Sequence, residues 1–265
     1  QIKKKDECVR VVLDAIESGY RLIDTAQSYG NEEAVGEAIQ KTNVPREELF
    51  ITSKLWVQDM RTYEDAKQGI DNSLQKSGLE YFDLYLLHQA IGDYFAAWRA
   101  MEDAFREGKL KAIGVSNFYP NILTNFCEIV DIKPMVNQVE LHPYFTQEQA
   151  LETMNYYGVI AEAWAPLGGG RYNPFEDEML ISIANKYQKT VGQVLLRWNI
   201  QRGVVVIPKT THIERMIENI DVFDFVLNEE EMNKISALDM GYSGTRAKHF
   251  EPDFVRMVLN KKIHD

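Results

Sequence analysis

Four polar residues end or follow short apolar runs. Asp24 follows Tyr20-Arg-Leu-Ile, and Tyr29 lies in the loop just beyond it. Lys54 follows Leu49-Phe-Ile-Thr-Ser, and His88 ends the run Asp83-Leu-Tyr-Leu-Leu. If those runs are neighbouring parallel strands, a carboxylate, a phenol, an ammonium and an imidazole converge at one rim. A tyrosine hydroxyl is ordinarily a weak acid, with a pKa of about 10. The Lys54 ammonium is expected to favour the phenolate and lower that value. Asp24 would hold Lys54 in place and ionised, and His88 would hydrogen-bond a substrate oxygen or help relay the proton. Such a set protonates an oxygen that gains negative charge, such as a carbonyl receiving hydride. Each residue alone has a plainer reading: a loop-capping Asp, a packed Tyr, a solvated Lys, a satisfied rim His. Their joint placement at successive run ends favours catalysis.

Two further groups carry chemistry. In Ile207-Pro-Lys-Thr-Thr-His-Ile-Glu-Arg, Lys209 leaves the last apolar run and Arg215 lies on the helix that follows. Two cations near a helix N-terminus suit a phosphate, and Thr210, Thr211 and His212 add donors. The competing reading is an ordinary solvated helix start. Ser116 and Asn117 end one run and Gln138 lies in the next, so a hydroxyl and two amides are available to a carboxamide. They also suit turns. Trp164, at the following run end, can stack on a planar ring or pack in a core.

The elements that would position these residues alternate along the chain. Strand-like runs are Tyr20–Asp24, Leu49–Lys54, Phe82–His88, Lys111–Ser116, Met135–Glu140, Val159–Trp164 and Val204–Pro208. They are short and almost wholly apolar, as in parallel strands covered on both faces. Helical stripes lie between them: Tyr63, Ala66, Ile70 and Leu74, and then Phe95, Trp98, Met101 and Phe105, with Gly108 as the stop. Thr146 and Gln149 form a capping-box pattern before Ala150, Met154 and Tyr157. Thr190 is a candidate cap for a helix burying Val191, Val194, Leu195 and Trp198. Ile213, Met216, Ile217 and Ile220 form another stripe, read as core packing. Strand–helix alternation implies a parallel sheet with right-handed crossovers. No Gly-x-Gly-x-x-Gly turn follows the first run, and polar residues mark nearly every run end. Both points favour a (β/α)8 TIM barrel over an open doubly wound sheet. Seven strands are visible; the eighth would precede Gln1.

Length and composition agree. The 265 residues suit one barrel of about 250 residues, and no linker or repeat divides residues 1–265. A net charge of −11 argues against nonspecific nucleic-acid or membrane binding. Two cysteines, Cys8 and Cys127, far apart, suggest neither a disulfide framework nor a metal site. The expected compartment is the cytoplasm.

These motifs together make the chain resemble the aldo-keto reductases. The resemblance rests on Gly19-Tyr-Arg-Leu-Ile-Asp-Thr-Ala with Tyr29 and Asn31-Glu32, on Ile51-Thr-Ser-Lys-Leu-Trp, and on Asp83-Leu-Tyr-Leu-Leu-His. Gly114-Val-Ser-Asn-Phe, Val136-Asn-Gln-Val-Glu, Ala165-Pro-Leu-Gly and the segment from Lys209 to Asn219 complete it. It spans essentially the whole chain and is nearest the bacterial-type reductases of 2,5-diketo-gluconate and glyoxal. It implies a (β/α)8 barrel that binds NADP(H) without a Rossmann fold, acts on small carbonyl substrates and is a monomer. It implies Asp24, Tyr29, Lys54 and His88 as catalytic residues, with Tyr29 the general acid. Ser116, Asn117 and Gln138 would hold the nicotinamide carboxamide. Trp164 would stack on the ring where the family usually has tyrosine, and Leu167 joins the cofactor-binding set. Lys209, Thr210 and Arg215 would clamp the 2′-phosphate, and Glu218 and Asn219 would contact the adenine.

The same resemblance places Trp56 and Gln89 in the substrate pocket and makes the segment from Gly241 its last wall. Gln89 and Ala90 replace the aromatic and proline that often follow the histidine. Gly168-Gly-Gly-Arg171 gives an unusual pyrophosphate loop in which Arg171 would help bind phosphate. The family begins with a small hairpin and the first barrel strand, and neither precedes Gln1. A barrel without that strand would expose two sheet edges. The expectation is therefore a chain truncated relative to the natural protein; otherwise the barrel closes differently or borrows a strand. Two other functions compete with the reductase. One is a non-catalytic NADP(H)-binding regulatory or interaction barrel. The other is an isomerase or aldolase with Lys54 as a Schiff base, which needs Lys54 free of Asp24.

Overall fold

The computed structural model describes residues 1–170, 172–242, 249 and 251–264. Its strands are β1 (Leu22–Asp24), β2 (Phe50–Leu55), β3 (Leu84–Leu87), β4 (Ile113–Ser116), β5 (Val136–Glu140), β6 (Ile160–Trp164) and β7 (Val205–Val206). Each falls at an expected apolar run, with ends a residue or two tighter in most cases. The helices are α1 (Lys5–Glu17), α2 (Glu32–Lys41), α3 (Tyr63–Ser77), α4 (Tyr94–Arg106), α5 (Pro120–Cys127) and α6 (Glu148–Tyr157). They continue as α7 (Glu178–Tyr187), α8 (Val191–Gln201), α9 (Ile213–Ile220), α10 (Glu229–Ser236) and α11 (Pro252–Asn260). The fold is α/β with parallel strands. No described helix is long and apolar enough to cross a membrane.

The chain forms two compact units. The first holds residues 1–137 and 249–265, and the second holds residues 138–248. In the first, β1 to β4 lie in sequence order and each pairs parallel with the next. The register sets Asp24 beside Thr52, Lys54 beside Leu86 and Leu86 beside Gly114. Side chains alternate between faces along a strand. Ser53 and Tyr85 therefore share one face, where Ser53 bonds Glu32 of α2 (2.5 Å) and the Tyr85 hydroxyl lies 2.9 Å from Ser73 of α3. Lys54 emerges on the other face, where Leu84, Leu86 and Val136 form an apolar cluster.

Helices α2 and α3 pack closely because Gly36 has no side chain. A Cβ there would lie 1.7 Å from the Ser77 carbonyl oxygen. Helix α3 begins as its stripe requires, with the Thr62 hydroxyl accepting from Asp65 N, and ends at Gly78 in the left-handed region. Helix α4 is capped by Asp93 and buries Trp98 and Met101.

In the second unit β6 pairs parallel with β7, aligning Glu162 with Val205. Helix α8 carries the Thr190–Gln193 capping box, and Trp198 is fully buried with its indole N–H donated to Ser236 Oγ. Two expectations fail here. Thr146 does not cap α6: Gln147 takes the cap position at φ 58°, and Gln147 Nε2 donates to the Glu140 carbonyl. Thr146 lies one residue before that position, and its backbone N–H is donated to Asp239. The α9 stripe is not core either. Met216 is buried, whereas Ile213 and Ile217 are 41% and 56% exposed. Spacing reveals that an apolar face exists but not whether another element covers it.

Candidate active site

Asp24 ends β1, and the chain then turns through Gln27–Tyr29, closed by Gly30 at φ 67°. Lys54 lies one residue before the end of β2 and is wholly buried. Its ammonium sits 2.6 Å from both Asp24 oxygens and donates to the Thr25 carbonyl at 2.8 Å. A buried ammonium is tolerated only when paired and hydrogen-bonded in this way. The arrangement contradicts the Schiff-base reading, which needs Lys54 free of Asp24.

Lys54 Nζ is 5.1 Å from the centre of the Tyr29 ring. Burial pushes the Tyr29 hydroxyl above its ordinary pKa, and the charge of Lys54 offsets this only in part. The expected lowering is thus overturned: Lys54 acts in the anticipated direction, but desolvation outweighs it. The Tyr29 hydroxyl therefore stays neutral throughout the neutral range.

His88 follows β3 and is buried. Its ring meets Tyr29 edge-on at 5.6 Å and Trp56 edge-on at 5.2 Å, and Ser28 Oγ lies 3.4 Å from Nδ1. Burial first, then the nearby Lys54 charge, holds its pKa well below the ordinary histidine value. The imidazole is therefore neutral at pH 7, with one N–H to donate and one nitrogen to accept.

Ser116 ends β4 and Asn117 follows in the left-handed region at φ 62°, both buried. Asn117 Nδ2 donates to the His88 carbonyl and to Ser116 Oγ, each at 3.1 Å. Trp56 is buried, with its indole N–H donated to the Lys261 carbonyl at 2.9 Å. Gln89 is buried, and its side-chain oxygen meets no donor among the described residues. The first unit thus brings Asp24, Tyr29, Lys54, His88 and Trp56 together, with Ser116 and Asn117 behind His88.

The second unit carries the other candidates. Gln138 is buried in β5 and donates to Glu162 at 2.8 Å. Trp164 ends β6, Ala165 follows at φ 53°, and Leu167 is half-buried. Lys209 and Arg215 are exposed, Arg215 in the first turn of α9, and neither is in an ion pair among the described residues. Thr210 Oγ1 accepts from His212 N. Glu218 and Asn219 are half-buried, and Glu218 accepts from Thr190 Oγ1 at 2.7 Å. Unpaired cations beside a helix start that lacks a side-chain cap fit a phosphate. Arg171 and residues 243–248 of the expected pocket wall lie outside the described residues.

Sequence reasoning missed Gln27 and Asp59. Gln27, in the turn that carries Tyr29, is buried and accepts from Trp56 N at 2.6 Å. It also donates to Gly69 O at 3.0 Å and to Asp59 Oδ2 at 3.2 Å. A glutamine two residues before a tyrosine carries no signal; only the fold shows that it points inward.

The fold is thus parallel α/β, with a Lys–Asp pair beside a tyrosine and a histidine at the ends of its strands. Residues 2–240 match the aldo/keto reductase family. The chain is 46% identical over 240 residues to a glyoxal reductase of Bacillus subtilis (strain 168), covering 90% of this chain and 86% of that protein. It is 45% identical over 244 residues to the oxidoreductase YtbE of the same organism, with the same coverage. Among solved structures, a Bombyx mori aldo-keto reductase in complex with NADP matches with a TM-score of 0.85 and 40% identity, covering 90% of this chain and 85% of that one. The chain belongs to the aldo/keto reductase family.

Proposed function

We propose that this protein reduces small aldehydes and ketones, dicarbonyls such as glyoxal first among them, to alcohols at the expense of NADPH. The observation that carries this reading is the buried Lys54–Asp24 pair beneath a neutral Tyr29, with a neutral His88 against its ring. The similarity to a glyoxal reductase and to an NADP complex supports the substrate class and the cofactor. The full architecture is a (β/α)8 barrel, in one catalytic domain that works as a cytoplasmic monomer. Both cysteines are free and buried, in keeping with a reducing compartment.

When bound, NADPH supplies the hydride that reaches the carbonyl carbon. Ser116, Asn117 and Gln138 would hold its carboxamide. Trp164 stacks on the ring and Leu167 lines it. Lys209, Thr210 and Arg215 take the 2′-phosphate, with Glu218 and Asn219 at the adenine. His88, neutral, donates an N–H to the carbonyl oxygen and orients it. Tyr29 gives that oxygen its hydroxyl proton as negative charge develops there. The phenolate left behind is stabilised by the Lys54 ammonium, which Asp24 keeps charged and in place. Trp56 and Gln89 line the substrate side. A proton from solvent restores Tyr29.

The test is NADPH consumption with a panel of small dicarbonyls, aldehydes and keto sugars, beside an NADH control and the Tyr29→Phe variant. NADPH-selective turnover is expected, falling about 10²- to 10⁴-fold in Tyr29→Phe. NADPH affinity should stay near wild type. Loss of cofactor binding in the variant would remove Tyr29 from the role of acid.

A further inference from the structure

The Tyr29 turn is held from beneath by Gln27, whose amide is spent on Trp56, Gly69 and Asp59. Asp59 is 7% exposed and ends a short 3₁₀ turn, Val57–Asp59. A carboxylate this buried needs partners on both oxygens. Oδ2 takes the Gln27 amide, and Oδ1 lies 2.7 Å from Nε2 of His264.

His264 belongs to a segment that grips the same turn throughout. The Lys261 carbonyl accepts from the Trp56 indole, and the Lys261 ammonium lies 4.7 Å over that ring. Gln58 accepts from Ile263 N at 2.7 Å and donates to the His264 carbonyl at 2.9 Å. Lys261, Ile263 and His264 are tied in turn to Trp56, Gln58 and Asp59, the stretch that follows Lys54.

We infer that Asp59 and His264 are positioning residues: their contact latches residues 261–264 onto the Trp56–Asp59 turn and, through Gln27, sets Tyr29 and the Trp56 ring for the carbonyl substrate. The inference rests on the proposed reductase reading. Neither residue touches the reacting atoms. Their effect is on where Tyr29 and Trp56 stand, and a small misplacement of reacting groups is enough to cost about a hundredfold in rate.

The experiment compares His264→Ala, His264→Gln and Asp59→Asn with wild type. It measures kcat and KM for glyoxal, NADPH affinity, thermal stability and the Trp56 indole N–H resonance, assigned with Trp56→Phe. His264→Ala should lower kcat/KM by roughly tenfold or more and shift the indole resonance, with NADPH affinity and Tm unchanged. His264→Gln keeps an N–H for Asp59 and should recover most of both. Asp59→Asn should resemble His264→Ala in the indole shift. Unchanged kcat/KM with an unmoved indole in His264→Ala would overturn the inference. So would a general loss of Tm and cofactor affinity that His264→Gln does not repair. If wild type reduces no carbonyl, the reductase reading fails by itself. The indole resonance then decides the latch: a shift repaired by glutamine supports it, and an unmoved one ends it.

Discussion

Lys54, Tyr29 and Arg215 show three ways in which a side chain's surroundings set its chemistry. Lys54 is buried against both oxygens of Asp24, so its amino group is fixed in place. Tyr29 feels that charge but feels burial more, so its hydroxyl keeps its proton in the neutral range. Arg215 is exposed at the start of α9 and is available to an anion from solution. Arg215→Ala should weaken NADPH by about 10- to 100-fold, the worth of a charged hydrogen bond, while NADH binding changes little. Titrating both cofactors by fluorescence checks this, and equal losses would remove the 2′-phosphate assignment. The identities of these residues were legible in the sequence. The sign of the Tyr29 shift was not, because it is the balance of two opposed effects and only depth of burial decides it.

At the scale of elements, apolar run length located the seven strands of the described residues, and three- and four-residue stripes located α3, α4 and α8. These signals work because a strand covered on both faces must be apolar throughout, whereas a helix buried on one face must repeat about every 3.6 residues. They fail where context competes. Thr146 has the capping sequence but the helix starts one residue later, with Gln147 at the cap, and Ile213 and Ile217 have the stripe but remain exposed. The packing of α2 on α3 is another matter of context, since Gly36 is unremarkable until Ser77 is seen against it. Gly36→Ala should destabilise the fold by about 1–3 kcal/mol or more, as overpacking does. Urea denaturation of the purified variant measures it, and a midpoint equal to wild type would mean that the two helices part without cost.

For the whole molecule, the buried neutral His88 ties stability to pH. Its folded pKa is depressed, so the unfolded chain takes up the proton first as pH falls. The stability that it contributes is complete above the ordinary histidine value, about 6.5. It is lost as pH falls from there towards the lower folded value, at up to about 1.4 kcal/mol per pH unit. His88→Gln should flatten this part of the acid limb between pH 7 and 5 in urea titrations. An identical limb in the variant would mean that other groups govern it. The same neutrality predicts that kcat, measured above the acid limb, shows no step from His88 ionisation near neutral pH.

By itself the sequence determined the alternation of strands and helices, the family, and the identity of Asp24, Tyr29, Lys54 and His88. Run length, periodicity and residue type are local properties that a single chain displays directly. Only the folded chain decided that Lys54 is locked to Asp24 and that burial dominates at Tyr29. The same holds for Gln27, Asp59 and His264, which form one connection beneath the Tyr29 turn. Those facts depend on which groups, up to 205 positions apart, come within hydrogen-bond distance and how far water is excluded around them. Neither is written in local spacing.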